Sequence, residues 1–219
     1  MFSALLDQDC TLCGEARDGL VCEGCEAALA RMESACARCA IPLANGGPCG
    51  RCRAQPPHFD HAIAALQYRF PVDRLVQGFK YAGDLAIGRW LAERLLGTVR
   101  GHERPALLVS PPSTVERLRE RGFNPALEIA KVVSRGLGVP CAIEGLVRAR
   151  STLPQPGLGR IARERNLVDA IVSPLHLGGL HVAIVDDVMT TGATANAAAR
   201  ALKGAGADRV SVWVVARTP

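Results

Sequence analysis

Aromatic residues make up only 4% of this 219-residue chain. A protein that grips single strands by stacking bases on Phe, Tyr and Trp would have few platforms here. No apolar run approaches the ~18–20 residues that a membrane helix needs. The opening MFSALLDQDC lacks the basic start and the apolar stretch of a secretory leader. Low-complexity tracts are also missing, and an apolar fraction of 48% is enough for a packed core. After residue 52 only one cysteine remains, Cys141. These absences predict a folded chain with no membrane insertion, kept in the reducing cytoplasm. In that compartment closely spaced cysteines bind metal more often than they form disulfides.

What is present is concentrated. Cys10/Cys13, Cys22/Cys25, Cys36/Cys39 and Cys49/Cys52 form four C-x-x-C pairs, and each ligand recurs after 26 or 27 residues. Two residues between thiols let a tight turn aim both sulfurs at one ion, and two such turns complete a tetrahedral four-thiolate site. Four pairs at near-identical spacing favour structural zinc, one or two ions, over redox chemistry or an iron–sulfur cluster. The repeat suggests sequential pairing, though interleaved pairing satisfies the same spacing. Cys25 is expected to open a short helix, and Cys141 to be an ordinary buried thiol. The segment is poor in apolar residues, so metal binding and folding should be coupled. Pro56-Pro57 marks a stiff linker, dividing a zinc-binding module (1–55) from a second domain (58–219).

Thiolates and two zinc ions would bring the formal charge of +5 down to +1, so global charge says little about nucleic acid. Local charge says more. From Arg117 to Arg165 there are ten Lys or Arg against four Glu, a field suited to polyphosphate or a nucleic-acid backbone.

Beyond the linker, apolar runs alternate in the α/β manner. Strands are expected at 61–69, 106–110, 181–187 and 209–216, and helices at 72–96, 125–137 and 195–206. Gly78 and Gly83 suggest a break in the first helix. Strand, helix and strand in the last 40 residues make a βαβ unit, hence a parallel sheet.

The most informative run is Val182-Ala-Ile-Val-Asp186-Asp187-Val188-Met189-Thr190-Thr191-Gly192-Ala193-Thr194. Two carboxylates close a buried strand, at the end where open α/β sheets bind ligands. A loop of Thr, Thr, Gly, Ala and Thr then enters a helix, and its N–H groups and hydroxyls can surround one phosphate. Adjacent acids repel phosphate, so they suit hydroxyls or a metal. A 5-phosphorylated ribose satisfies both halves. A plain strand-to-helix turn would need only one Asp and one Thr.

This run resembles the phosphoribosyl-pyrophosphate signature of the type I phosphoribosyltransferases. RLRERGFN (117–124), R-x-R-S-T-x-x-Q (148–155), RERN (163–166) and FKYAGD (79–84), behind a cysteine-rich start, further resemble the ComF family, which includes GntX-type proteins. The resemblance implies a type I phosphoribosyltransferase fold: a central, mostly parallel sheet flanked by helices, with a small hood and an added zinc module. It implies 5-phosphoribosyl pyrophosphate bound with magnesium along Asp186, Asp187, Val188, Met189, Thr190, Thr191, Gly192, Ala193 and Thr194, with the two acids on the ribose hydroxyls and Thr190 to Thr194 around the 5-phosphate. Ser110, Pro111 and Pro112 would form the pyrophosphate loop, in place of the family's usual Pro-Val-Pro-Leu. A proline amide there would lower the cost of a cis bond from ~3 to ~1 kcal/mol. Pro125 replaces the family's usual Gln.

Candidate roles follow for the charged residues. Arg117, Arg119 and Arg121 precede a glycine and would form a mobile basic loop over pyrophosphate. Arg148, Arg150, Gln155, Arg160, Arg163, Arg165 and Asn166 would form the hood, and Lys80 and Tyr81 the entrance. Asp187 is the first choice for stabilising positive charge at C1, with Asp186 chiefly holding the ribose. Glu120 and Glu128 are the available bases. Family resemblance links the chain to DNA uptake in natural transformation, to a partner in that machinery, and to DNA utilisation. The competing reading is a non-catalytic module holding single-stranded DNA on its basic face, weakly and with strong salt dependence.

Overall fold

The computed structural model describes residues 8–17, 19–149 and 171–219. Five strands form one parallel sheet in the order β3-β9-β8-β4-β5: β3 (His61–Gln67), β4 (Leu107–Val109), β5 (Cys141–Ala142), β8 (His181–Met189) and β9 (Arg209–Arg217). The central pair explains itself chemically. Val182 to Val185 and Val212 to Ala216 are almost wholly buried, as parallel strands covered on both faces must be.

Helices α3 (Val72–Tyr81), α4 (Leu85–Val99) and α6 (Pro125–Leu137) cover one face, and α7 (Ala193–Gly204) covers the other. The helix pairs pack closely. A Cβ on Gly136 of α6 would stand 2.2 Å from Leu96 of α4. The expected break falls at Gly83, whose φ of 69° suits glycine, while Gly78 stays inside α3. Helix α6 matches its expected bounds: Asn124 caps it, Pro125 takes the first turn, and Gly138 ends it in the left-handed region. The last helix begins two residues before the expected Ala195, at Ala193.

The N-terminal segment contributes β1 (Gln8–Asp9), β2 (Ala16–Arg17), α1 (Glu23–Ala27) and α2 (Gly50–Ala54). Helix α1 is capped by the Cys22 sulfur, and Cys25 lies within it. That corrects the expectation that Cys25 opens the helix. Cys49 caps α2 in the same way. This segment grips both faces of the sheet: Val21 and Leu29 join the α3/α4/α6 core, while Ala40 joins the α7 core with Met32 and Cys39 packed against it. Between them Arg31 bridges antiparallel to Leu66, and the Gln67 N–H donates to the Ala30 carbonyl at 2.8 Å. The chain therefore crosses the outer edge of β3. Past α2, the His58 N–H donates to Asn196 Oδ1 of α7 at 2.7 Å, so the chain beyond Pro56-Pro57 is tied to the sheet domain.

Two antiparallel pairings fall outside the main sheet, one of them β1 with β2. The short strands β6 (Val147–Arg148) and β7 (Ile171–Val172) pair antiparallel. Helix α5 (Val115–Arg121) lies between β4 and α6. No described helix is long and apolar enough to cross a membrane.

Candidate functional site

Sheet order dictates where a ligand can sit. From β4 the chain winds outward through α6 to β5; from β8 it winds the opposite way through α7 to β9. The crevice beyond the carboxyl ends of β4 and β8 is thus the switch point at which open α/β sheets bind ligands. Val109 pairs with Ile184, so Ser110–Pro112 and Asp186–Thr194 continue side by side into that crevice.

Asp186 and Asp187 occupy successive strand positions, which alternate between faces of the sheet. Asp187 is buried, and its Oδ1 lies 2.9 Å from Lys80 Nζ at the end of α3. Asp186 accepts the Asp187 N–H at 2.8 Å. Burial, and next the charge of Asp187, push the Asp186 carboxyl up to about 8. Among the described residues one amine, that of Lys80, is paired with these two acids, so the site favours a further cation or a hydroxyl donor.

Beyond the acids, Thr190 and Thr191 are exposed. Gly192 takes φ 80°, where L side chains are strained, and caps the 12-residue α7. Ala193 N–H donates to Thr191 Oγ1 at 3.3 Å, and Thr194 lies exposed in the first helical turn. Backbone donors and hydroxyls thus gather at a helix N-terminus with no acid in its first turn, the arrangement suited to an anion. Val188 and Met189 differ from the rest of this run: Met189 is buried and packs in the α7 core, and Val188 packs against the other core.

The structure revises the basic segment. Arg117, Arg119 and Arg121, expected in a mobile loop, lie on α5. Thr114 caps this helix, accepting the Arg117 N–H at 3.3 Å, and left-handed Gly122 ends it. The cap and the glycine were visible in the sequence. Arg121 stacks its guanidinium 4.8 Å from the exposed Tyr81 ring, and Phe79 packs on Phe123 at 5.3 Å. Hence the FKYAGD and RGFN strings meet in space. Arg148 lies on β6, half-buried. Its charge, after local hydrogen bonds and Arg119, helps hold the Glu116 carboxyl low. Arg150, Gln155, Arg160, Arg163, Arg165 and Asn166 lie outside the described residues.

At the Ser110-Pro111-Pro112 turn both proline bonds are trans; the one cis bond among the described residues is Phe70–Pro71. Asn124 Nδ2 donates to the Pro111 carbonyl at 3.0 Å while its Oδ1 caps α6. Pro111 and Pro112 carry no N–H, so the middle of this turn offers an anion no backbone donor. Among the other expectations, Cys141 is half-buried on β5, with burial raising its thiol. Glu128 is paired with Lys131 at 2.7 Å.

Two arginines escaped the sequence reading. Arg217 is 4% exposed and donates to the carbonyls of Cys39, Met189, Thr190 and Thr218. Arg51, between two cysteine ligands, donates to the Thr191 carbonyl at 2.9 Å. The only hint of Arg217 was a lone charge ending a buried apolar strand.

The cysteines fall into two sets, Cys10/Cys13/Cys22/Cys25 and Cys36/Cys39/Cys49/Cys52, each with its sulfurs within 4.8 Å of one another. Pairing is therefore sequential. The Cys13–Cys22 and Cys39–Cys49 sulfurs are 3.8 Å apart. Zinc–sulfur bonds of ~2.3 Å in a tetrahedron give an edge of ~3.8 Å. Burial works to raise the thiols of Cys10 and Cys36, yet backbone N–H groups outweigh it and bring both down to about 6. Hydrogen bonding to Cys22 and Cys13 holds Cys25 up at about 12, because without a cation clustered thiols resist full ionisation. This donor set fits zinc.

A second polar cluster sits at the opposite end of the sheet. His181 Nε2 is 2.5 Å from Ser211 Oγ, and its Nδ1 is 3.7 Å from Glu103. The order imitates a hydrolase triad, but Ser211 is 0% exposed and the Glu103 distance exceeds a hydrogen bond. It is a packing cluster.

Together the parallel sheet, the acid pair and the anion loop define a phosphoribosyltransferase-type domain joined to a double zinc ribbon. Sequence comparison agrees: the Double zinc ribbon domain matches residues 1–53 and the Phosphoribosyl transferase domain matches residues 124–219. DNA utilization protein YhgH of Salmonella typhimurium is 34% identical, with 90% of each chain covered. Competence protein F of Haemophilus influenzae is 32% identical, with 92% of each covered. The chain belongs to the ComF family of competence and DNA-utilization proteins. Among solved structures, adenine phosphoribosyltransferase from Thermoanaerobacter pseudethanolicus aligns with a TM-score of 0.40 at 17% identity, covering 61% of this chain and 83% of that one.

Proposed function

We propose that the chain binds 5-phosphoribosyl pyrophosphate with magnesium at the carboxyl end of β8 and transfers phosphoribose to an acceptor, releasing pyrophosphate. The observation that carries this reading is the acid pair beside an open anion loop at the sheet's switch point. Residues 58–219 serve as the phosphoribosyltransferase-like domain, and residues 1–55 as its zinc module.

Thr190 to Thr194 hold the 5-phosphate through N–H groups and hydroxyls. Asp186 accepts from a ribose hydroxyl, which lets its raised carboxyl give up its proton. Asp187, steadied by Lys80, supplies negative charge as C1 becomes positive. The bond from C1 to pyrophosphate breaks with its electron pair leaving on pyrophosphate, and an acceptor lone pair forms the new bond. Arg117, Arg119 and Arg121 on α5, with Arg148 on β6, offer positive charge to the leaving group. Magnesium, when bound, neutralises charge on the pyrophosphate. The relatives' names direct the acceptor search to components of DNA first.

The exposed Arg117 and Arg119 favour a second reading, single-stranded DNA held on α5 with the acid site used for docking. Calorimetric titration of phosphoribosyl pyrophosphate with magnesium decides between them. The zinc-loaded chain should bind, and an Asp186→Asn/Asp187→Asn variant should lose that binding while keeping any affinity for single strands. Folded protein that ignores the pyrophosphate but binds DNA would replace the first reading with the second.

A further inference from the structure

The second zinc cluster and the anion loop are separated by a cavity of about 380 Å³ that Arg51, Arg200 and Arg217 help to line. Across it run the contacts of Arg217 and Arg51. Three successive carbonyls, that of Met189 at the end of β8 and those of Thr190 and Thr191 in the loop, accept from these two guanidiniums. In a trans peptide the carbonyl and the next N–H point in opposite directions. Holding these carbonyls toward the ribbon therefore turns the N–H groups of Thr190, Thr191 and Gly192 away from it, toward the crevice. Both arginines are fixed at the ribbon end. Arg217 also donates to the carbonyl of the zinc ligand Cys39 at 2.9 Å, and Arg51 lies between the ligands Cys49 and Cys52 on α2.

We infer that Arg217 and Arg51 are positioning residues through which the second zinc cluster presets the anion loop, so that metal in this cluster raises the loop's affinity for phosphate. The first cluster has no equivalent link among the described contacts. Its module reaches α4 and β3 instead, through Glu26–Arg94 and Arg31–Leu66. This inference rests on the phosphoribosyl-pyrophosphate reading for its ligand but not for its geometry.

The test compares the full chain with Arg51→Ala, Cys49→Ser and Cys22→Ser. Serine keeps the helix cap at either cysteine position, so the two serine variants differ in which cluster is lost. Arg51 is exposed and its removal spares the core, whereas removing buried Arg217 risks the fold. Zinc content confirms which cluster is lost, ¹⁵N relaxation reads the loop, and titration with phosphoribosyl pyrophosphate and magnesium reads affinity. In the wild type, order parameters at Thr190–Gly192 should be about 0.85, falling below about 0.6 in Cys49→Ser and partway in Arg51→Ala. Affinity should fall at least about tenfold in Cys49→Ser and less in Arg51→Ala, with Cys22→Ser near wild type on both readouts. A loop that stays rigid in Cys49→Ser, or loosens equally in Cys22→Ser, overturns the coupling. Absence of binding by the wild type sinks the ligand reading alone, because relaxation still reports on the coupling.

Discussion

The two zinc ribbons repeat one spacing but have different neighbours. The first sends Val21 and Leu29 into the apolar core beneath α3 and α4, and its polar contact is the partly exposed Glu26–Arg94 pair. The second sends Ala40 under α7 with Cys39 packed beside it, and its polar contacts run through Arg51 and Arg217 to the carbonyls of residues 189–191. Equal sequence repeats therefore need not have equal duties. The surfaces the two ribbons cover differ: the first lies on the α3/α4 core, the second against the loop proposed above to hold phosphate.

The largest perturbation is removal of both metals. A structural zinc site supplies roughly 10–16 kcal/mol of apparent binding energy at neutral pH, which is folding energy here. A strong chelator should release two zinc ions per chain and open residues 8–53 to limited proteolysis, with the sheet domain cut later. A ribbon segment that resists protease after metal loss would break the comparison at its base.

A smaller effect lies beside the loop. Asp186 is held at about 8, so between the ordinary carboxylate range and pH 8 the folded chain keeps a proton that the unfolded chain has lost. Stability from this group therefore falls as pH rises through that window. Asp186→Asn should stabilise the ligand-free chain by about 1–3 kcal/mol at pH 8, and by little at pH 4. Denaturant melts at the two pH values check this. Equal gains at both would mean that the loop side carries no such cost.

The smallest change lies on the first ribbon. Arg94→Met should cost about 0.5–1 kcal/mol, as partly exposed ion pairs do, and leave ligand affinity unchanged. A clear loss of affinity would show that the first ribbon also reaches the site.

Some of this was readable in the chain. The α6 bounds stood in Asn124, Pro125 and Gly138, and the acid pair with its loop stood in one uninterrupted string. Sequential cysteine pairing was suggested by the repeat and resolved by geometry. Helix α5 was missed because seven residues with exposed charges carry no apolar period, although Thr114 and Gly122 bracket it. Arg217 was illegible for another reason: its partners are backbone carbonyls from three segments, and carbonyls leave no trace in a sequence. Lys80 could be placed near the entrance, but its pairing with Asp187 depends on where α3 ends relative to β8.

The crossing of β3 by Ala30 and Arg31 bears on how the protein survives in a cell. An uncovered edge strand offers a row of free backbone groups that recruits other chains. Here the cover lies between the two four-cysteine sets, so its order should follow zinc binding. When the metal is scarce, β3 loses its guard, and the first symptom should be aggregation that grows with protein concentration.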